Sequence, residues 1–266
     1  MGQLKQIYVS LHGIDVADYK DQPAHVRDFD LLVKGSCKVN LENQQPIIYL
    51  ANGPKEMEEL LPLLQELNYS TSQRRRLGKK NKSILFGSVP ANINKSNFCT
   101  YGAVANQDNL LHSLLFDKYS AFAQSLLKNH LPGWSQVYDA LFKRKKIHPD
   151  YRMAETIWTS GIINYNSPHN YHYDTMNVDK MISAMITFKG NCEGGYLCFP
   201  EYRLAVEVKN NSMIFFSGKS ILHGVTPMII GHRGYRLTAV YYTTEAVTRC
   251  DSQKDEIQKA LKYERK

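Results

Sequence analysis

His172 and Asp174 stand two residues apart in the segment His172-Tyr173-Asp174. On a strand that spacing sends both side chains to one face. His223 follows 51 residues after His172, behind the apolar segment Met213-Ile-Phe-Phe216 and a Ser-Gly turn. Two imidazoles and one carboxylate, with no thiolate among them, suit a borderline-to-hard metal ion. Such a set occupies one face of an octahedron and leaves the other open, the ligation of non-haem Fe(II) oxygenase sites. A His-x-Asp pair on its own is more often a surface or satisfied core feature than a metal site. Arg236 changes that balance. It lies 13 residues after His223, at the start of a β-branched and aromatic run. A guanidinium fork there can hold a dicarboxylate bidentately. Arg233 is a rival anchor, but only Arg236 sits inside the apolar run, where a buried cation needs a partner.

Bringing residues 172 and 223 together requires several strands. From about residue 155 the sequence supplies strand-like runs at 156–165, 181–189, 195–199, 204–208, 213–217, 221–225 and 235–243. Short strands of this kind, separated by Gly, Asn and Pro, predict a sandwich or jelly roll. Gly194-Gly195 reads as a hairpin turn. The first half is mixed. Residues 5–12 and 46–50 read as strands, and Gly53-Pro54 opens a helix carrying Leu60, Leu61, Leu63, Leu64 and Leu67. Pro62 should kink or shorten that helix. A longer helix is predicted over 107–129, with Leu111, Leu114, Leu115, Tyr119, Phe122 and Leu126 at helical spacing. A shorter one follows over 135–145, and residues 251–264 form a polar tail helix. No repeat or linker divides the chain. One domain is expected over 1–266, made of a mixed α/β part (1–150), a β core (151–245) and a C-terminal helix (246–266).

Composition narrows the function classes. At 266 residues, 43% hydrophobic and 22% charged, the chain reads as an ordinary globular protein. No apolar run approaches the roughly 18–20 residues of a membrane span, so no membrane role is expected. The N-terminus lacks an apolar signal core, which predicts an intracellular protein: host cytoplasm if phage-encoded, nucleus if eukaryotic. The five cysteines, Cys37, Cys99, Cys192, Cys198 and Cys250, are odd in number and scattered. They predict a reducing compartment and argue against a disulfide scaffold or thiolate zinc site. A net charge of +8 and a pI of about 9.1 favour a polyanionic partner, nucleic acid first. Six of the thirteen residues in 70–82 are basic: Arg74, Arg75, Arg76, Lys79, Lys80 and Lys82. They read equally as a solvated loop or as phosphate contacts. Lys143-Arg-Lys-Lys146 is a second run of the same kind.

Four segments carry a resemblance. They are His172-Tyr-Asp174-Thr-Met-Asn177, His223-Gly-Val-Thr-Pro227, Gly234-Tyr-Arg236-Leu-Thr238-Ala-Val-Tyr-Tyr242 and Phe86-Gly87. Together they resemble the TET/JBP group of 5-methylpyrimidine DNA dioxygenases within the Fe(II)/2-oxoglutarate oxygenases. Length and the Pro200-Glu-Tyr segment look most like short, phage-borne members. The clear match spans roughly the last 110 residues. The resemblance implies an α+β fold with a double-stranded β-helix core of jelly-roll, cupin-like type, flanked by N-terminal helices. It implies Fe(II) on His172, Asp174 and His223, with O2 at the open face. It implies 2-oxoglutarate held by Arg236 and Thr238, with Asn164 beside them. It implies a flipped 5-methylpyrimidine in DNA, contacted by Asn177, with Tyr165, Tyr171 and Tyr173 available for stacking. Thr244 occupies a position where 5-methylcytosine members commonly carry a His, which leaves cytosine and thymine both open. No protein partner is implied, and a monomer is expected. An AlkB-like nucleic-acid demethylase, a protein or small-molecule hydroxylase, and an inert cupin-like binding module are the competing readings.

Overall fold

Alternating side chains sort the strands onto two sheets. The structure, a computed structural model, describes residues 4–42, 46–72, 81–91 and 97–264. Its strands are β1 (Lys5–Val9), β2 (Leu31–Lys34), β3 (Cys37–Leu41), β4 (Pro46–Asn52), β5 (Ser70–Ser72), β6 (Asn81–Val89), β7 (Thr100–Tyr101) and β8 (Ser160–Tyr165). They continue with β9 (His169–His172), β10 (Ser183–Gly194), β11 (Leu197–Phe199), β12 (Leu204–Glu207), β13 (Ser212–Phe216), β14 (His223–Val225) and β15 (Met228–Tyr242). The large sheet runs β1-β3-β4-β13-β10-β15-β8-β6-β5, with β7 on β6, and the small sheet runs β2-β12-β11-β14-β9.

Three apolar layers follow from the two-residue period of the strands. The outer face of the large sheet presents Phe215, Ile186, Leu237, Ala239, Tyr241, Ile163 and Phe86, and the helices cover it. Between the sheets, Met185, Ile214, Phe216 and Val240 meet Leu197, Phe199, Leu204, Val206 and Val225. Behind the small sheet, Tyr171, Cys198, Ala205 and Leu222 pack on Ala24, Val16, Tyr19 and Phe29. Full burial of each large apolar side chain contributes about 1.5–3 kcal/mol, so the layers fix which face of each strand looks inward. Two sheets facing across one apolar layer, with helices on one side, are the expected double-stranded β-helix in an α+β setting.

The helices depart from expectation in detail. The 107–129 helix is helical over 109–130, but Leu114–Tyr119 is a π-turn between Asn109–Ser113 and Ser120–His130. Leu111, Leu115 and Tyr119 are buried as predicted, and Ala123 and Leu127 complete the seam. The second helix, Pro132–Arg144, is shorter than the stretch 109–130 as expected, but Pro132 starts it earlier with a φ already suited to a first turn. The Gly53-Pro54 helix divides into a 3-10 turn at Lys55–Glu59 and an α-helix at Leu60–Glu66, with Pro62 in the latter's first turn. The tail helix is Gln253–Glu264. Strands β2, β3, β5, β6, β7 and β9 fall outside the runs expected from the sequence.

The cysteine reading is corrected. Cys99 and Cys250 are joined in a disulfide across 151 residues of chain, while Cys37, Cys192 and Cys198 are free. Counting and spacing cannot see a pair that only folding brings together. Beside it the buried Glu256 carboxylate accepts from Cys99 N at 2.7 Å and Asp251 N at 2.9 Å, which pins the tail helix to the body. No helix among the described residues is long and apolar enough to cross a membrane.

Candidate metal centre and anion pocket

The small sheet brings the two histidines together directly. His172 ends β9, His223 begins β14, and the two are register partners in an antiparallel pair. Their rings lie 4.4 Å apart. Asp174 is not on the strand, as the sequence reading had it, but two residues past the end of β9. Its position is set by its own N–H, which donates to Gly218 O at 2.9 Å. One ligand atom from each of the three residues lies within 4.8 Å of the others. Nε2 of His172 is 3.7 Å from Asp174 Oδ1, and Nε2 of His223 is 4.0 Å from Oδ2.

Backbone carbonyls orient both rings. Nδ1 of His172 lies 2.8 Å from Asn170 O and Nδ1 of His223 lies 3.0 Å from Ile221 O. An N–H at each Nδ1 leaves the Nε2 lone pair facing the shared centre, the second-sphere arrangement of metal-bound histidines. Burial pushes the His223 pKa down to about 4, helped by the neighbouring His172 and opposed by Asp174. His223 is therefore neutral near pH 7 and ready to ligate. Its side chain is 8% exposed against 24% for His172 and 32% for Asp174, so the centre opens on the side of the latter two. Gly218 is part of the cradle. A Cβ there would fall 2.2 Å from Asp174 Oδ2 and 3.4 Å from His223 Cε1. The sequence reading passed over this glycine, although the Ser-Gly turn before His223 was its visible sign.

His223 packs its ring on Phe216, 5.0 Å away, and so faces the layer between the sheets. The second half of the site faces the same layer from the large sheet. On β15, Arg236, Thr238 and Val240 alternate onto one face, and Val240 belongs to that layer. Arg236 is 2% exposed. Among the described residues, its Nε and Nη2 have no hydrogen-bond partner. Burial pushes its pKa down to about 10. Gly195 covers it closely, since a Cβ there would sit 3.0 Å from Arg236 Cδ. Thr238 pairs with Asn164 on β8, and Asn164 Nδ2 donates to Thr238 Oγ1 at 3.5 Å. Asn164 Oδ1 has no partner among the described residues. A buried guanidinium with two unpartnered nitrogens, beside a hydroxyl, fits one end of a dicarboxylate. Arg233, the rival anchor, is exposed in the irregular stretch of β15, with φ 54°.

Other expected residues fall in several places. Asn177 is buried and forms an isolated antiparallel bridge with Thr244. Its side-chain Nδ2 lies 3.5 Å from Asp174 Oδ2, and its backbone carbonyl accepts from Lys219 Nζ at 2.6 Å. Thr244 is also buried, with Oγ1 unpartnered among the described residues. Tyr171 is unavailable for stacking on a base: it is fully buried and donates to Asp28 Oδ2 at 2.9 Å. Tyr165 already stacks on Tyr69 at 5.4 Å. Phe86 and Gly87 are core elements, with Phe86 edge-on to Tyr241. Lys82 is exposed on β6, its Nζ 5.7 Å over the Tyr165 ring. Arg74, Arg75, Arg76, Lys79 and Lys80 lie outside the described residues.

No family model matches the sequence, and no curated protein is similar to it. Among solved structures, NgTET1 in complex with 5mC DNA is similar over 98% of this chain and 91% of that one, with a TM-score of 0.61 at 17% identity. OsALKBH1 is matched over 75% of this chain and 97% of its own, with a TM-score of 0.44 at 12% identity. An oxidoreductase of the 2OG-Fe(II) oxygenase family from Burkholderia pseudomallei is matched over 90% and 96%, with a TM-score of 0.43 at 14% identity. The NgTET1 likeness, spanning nearly both chains, shows a shared fold.

Proposed function

We propose that this protein is an Fe(II)- and 2-oxoglutarate-dependent dioxygenase that oxidises the C5-methyl group of a 5-methylpyrimidine in DNA. One observation carries the reading. A His-Asp-His cluster and a buried, unpaired arginine face the same layer between two sheets. A metal triad alone is met by many chemistries, and so is a buried arginine. Together they fit an ion and a dicarboxylate that must lie side by side. When bound, the iron and its co-substrate supply the oxidising power that no side chain has.

The chain's own part is positional. His172, Asp174 and His223 would hold the ion, with Asn170 O and Ile221 O keeping each Nε2 turned inward. Arg236 and Thr238 would hold the distal carboxylate, and Asn164 would orient the Thr238 hydroxyl. The apolar layer around Phe216 and Val240 keeps bulk water from the reacting region. Thr175 and Met176 are exposed on the loop that carries Asp174, where an arriving base would meet the protein. DNA is favoured by the +8 charge and by the fold neighbour, whose complex contains 5mC DNA. A methyl group inside a duplex cannot reach a buried centre, so the base would be extruded.

The test is a nucleoside assay. The protein, Fe(II) and 2-oxoglutarate are incubated with DNA containing 5-methylcytosine, DNA containing only thymine, and DNA with N-alkylated bases. Mass spectrometry should find a 5-hydroxymethylpyrimidine from one of the first two. Loss of N-linked methyl groups from the third alone would replace this reading with a demethylase.

A further inference from the structure

The apolar middle of β10 is broken by one polar residue. Ala184-Met185-Ile186-Thr187-Phe188 is apolar apart from Thr187, which is 0% exposed. Its Oγ1 has no hydrogen-bond partner among the described residues. Valine has nearly the same shape and no hydroxyl to desolvate, so a buried threonine with nothing to bond calls for an explanation. Register supplies it. Thr187 is the partner of Thr238 on β15, and Thr238 is the partner of Asn164 on β8. Directly opposed residues point to the same face, so the three form one polar row across the sheet. The next register pair on that face is Lys189 with Arg236. Diagonal neighbours of this kind lie about 7–8 Å apart, within reach of a long side chain.

Four of the buried unpartnered atoms among the described residues fall together here. Arg236 Nε and Nη2, Thr187 Oγ1 and Asn164 Oδ1 occupy adjoining register positions facing the inter-sheet layer. Lys189 is already engaged, donating to Gly194 O at 2.7 Å, with its Nζ 5.7 Å over the Tyr196 ring. Thr238 accepts from Asn164 Nδ2, which leaves the Thr238 proton free to point away. A carboxylate offers two oxygens and about four lone-pair sites. The Nε–Nη2 edge of Arg236 can take one on each oxygen, leaving two to be filled by hydroxyls. Thr238 supplies one.

Resting on the co-substrate reading above, we infer that Thr187 is a third anchor for the distal carboxylate of 2-oxoglutarate. It donates from β10 across the pocket from the Thr238 hydroxyl.

The experiment measures 2-oxoglutarate binding by calorimetry on full-length protein loaded with Mn(II), without turnover. Thr187→Val should weaken binding about tenfold or more, the loss of one hydrogen bond to a charged group. Thr187→Ser should stay within about threefold of the parent. Melting without 2-oxoglutarate gives a second readout: T187V should melt no lower than the parent, because the deleted hydroxyl has no protein partner. Parent-like binding by T187V overturns the assignment, and so does a lower melting temperature with unchanged binding. Arg236→Met is the control for the underlying reading. If R236M also binds like the parent, the pocket itself has been misread; if R236M fails and T187V does not, only Thr187 has.

Discussion

The candidate metal centre and the candidate anion pocket solve opposite problems. The centre is built at strand ends and in a loop of the small sheet, with side chains up to 32% exposed. Its polar atoms are already committed: each Nδ1 to a carbonyl, the Asp174 N–H to Gly218 O. The pocket is built from mid-strand residues of the large sheet, each 7% exposed or less, and it leaves Arg236, Thr187 and Asn164 with unmet hydrogen bonds. Pre-orientation is therefore complete in the first and unfinished in the second. A site whose second sphere is satisfied by backbone holds its geometry when empty. One that buries an unpaired cation is relieved only by its ligand, so ligand binding should appear strongly as added stability.

The largest effects break the centre itself. His172→Ala, Asp174→Ala or His223→Ala should abolish succinate formation and remove stoichiometric Fe(II) or Mn(II) binding in a metal titration. Undiminished metal uptake by any of the three would refute its role as a ligand.

Arg236→Met inverts the usual sign of a core mutation. It should lower 2-oxoglutarate affinity at least about a hundredfold, since a buried charge contact is worth roughly 3–5 kcal/mol when one partner is lost. Yet it should raise the stability of the ligand-free protein by about 1–4 kcal/mol, because an unpaired buried cation gives way to an apolar side chain. Denaturant melts with and without 2-oxoglutarate read both effects. A ligand-free protein that loses stability would mean that Arg236 has a structural partner and that the contrast between the sites is false.

Gly218→Ala probes the other side of the contrast. The added methyl enters the space of Asp174 Oδ2 and leaves the large sheet untouched. Metal affinity should fall about 10–100-fold, as for loss of an outer-sphere contact. Binding of 2-oxoglutarate should fall only through the metal. An unchanged metal affinity would show that Asp174 moves freely and that the geometry of the three side chains is not fixed.

What could be read in the sequence follows the same divide. The meeting of His172, Asp174 and His223 and the inward face of Arg236 were legible because chemistry dictates residue type, and period-2 spacing dictates face. What positions them was not. Strand β9 is four residues, His169-Asn-Tyr-His172, too short for any alternation to show, and it places Asp174 off the strand end. Thr187 hides in an apolar run and acquires meaning only through its register with Thr238. The amide of Asn177 lies beside the Asp174 carboxylate, a direction that depends on the bridge to Thr244. The Cys99–Cys250 pair depends on a contact across most of the chain. Local pattern conveys residue chemistry and strand face; register, loop direction and long-range pairing belong to the tertiary fold.

Acid should disturb the centre before the pocket. The folded pKa of His223 is about 4, below the ordinary value of 6.5, chiefly because of burial. Below pH 6.5 the unfolded chain takes up a proton that the folded metal-free protein refuses. That uptake favours unfolding, so stability present above pH 6.5 is lost as pH falls toward 4. Metal binding should weaken over the same window, because a proton competes for Nε2. His223→Gln should flatten the stability profile between pH 6.5 and 4 in the metal-free protein. A profile that stays as steep in H223Q would assign the acid sensitivity to other groups.

The smallest expected effect lies outside both sites. Lys82 is exposed on β6, next to the Tyr165 ring, and is the one member of the basic segment whose position is described. If it meets a phosphate, Lys82→Ala should lower DNA affinity modestly at low salt. The slope of log affinity against log salt should become shallower by roughly 0.7–0.9, the signature of one released counterion. Metal and 2-oxoglutarate binding should not change, since neither site touches this side chain. That separation makes the measurement informative despite its size. A substitution that alters affinity without altering the salt slope would mean that Lys82 acts through Tyr165 packing rather than through charge.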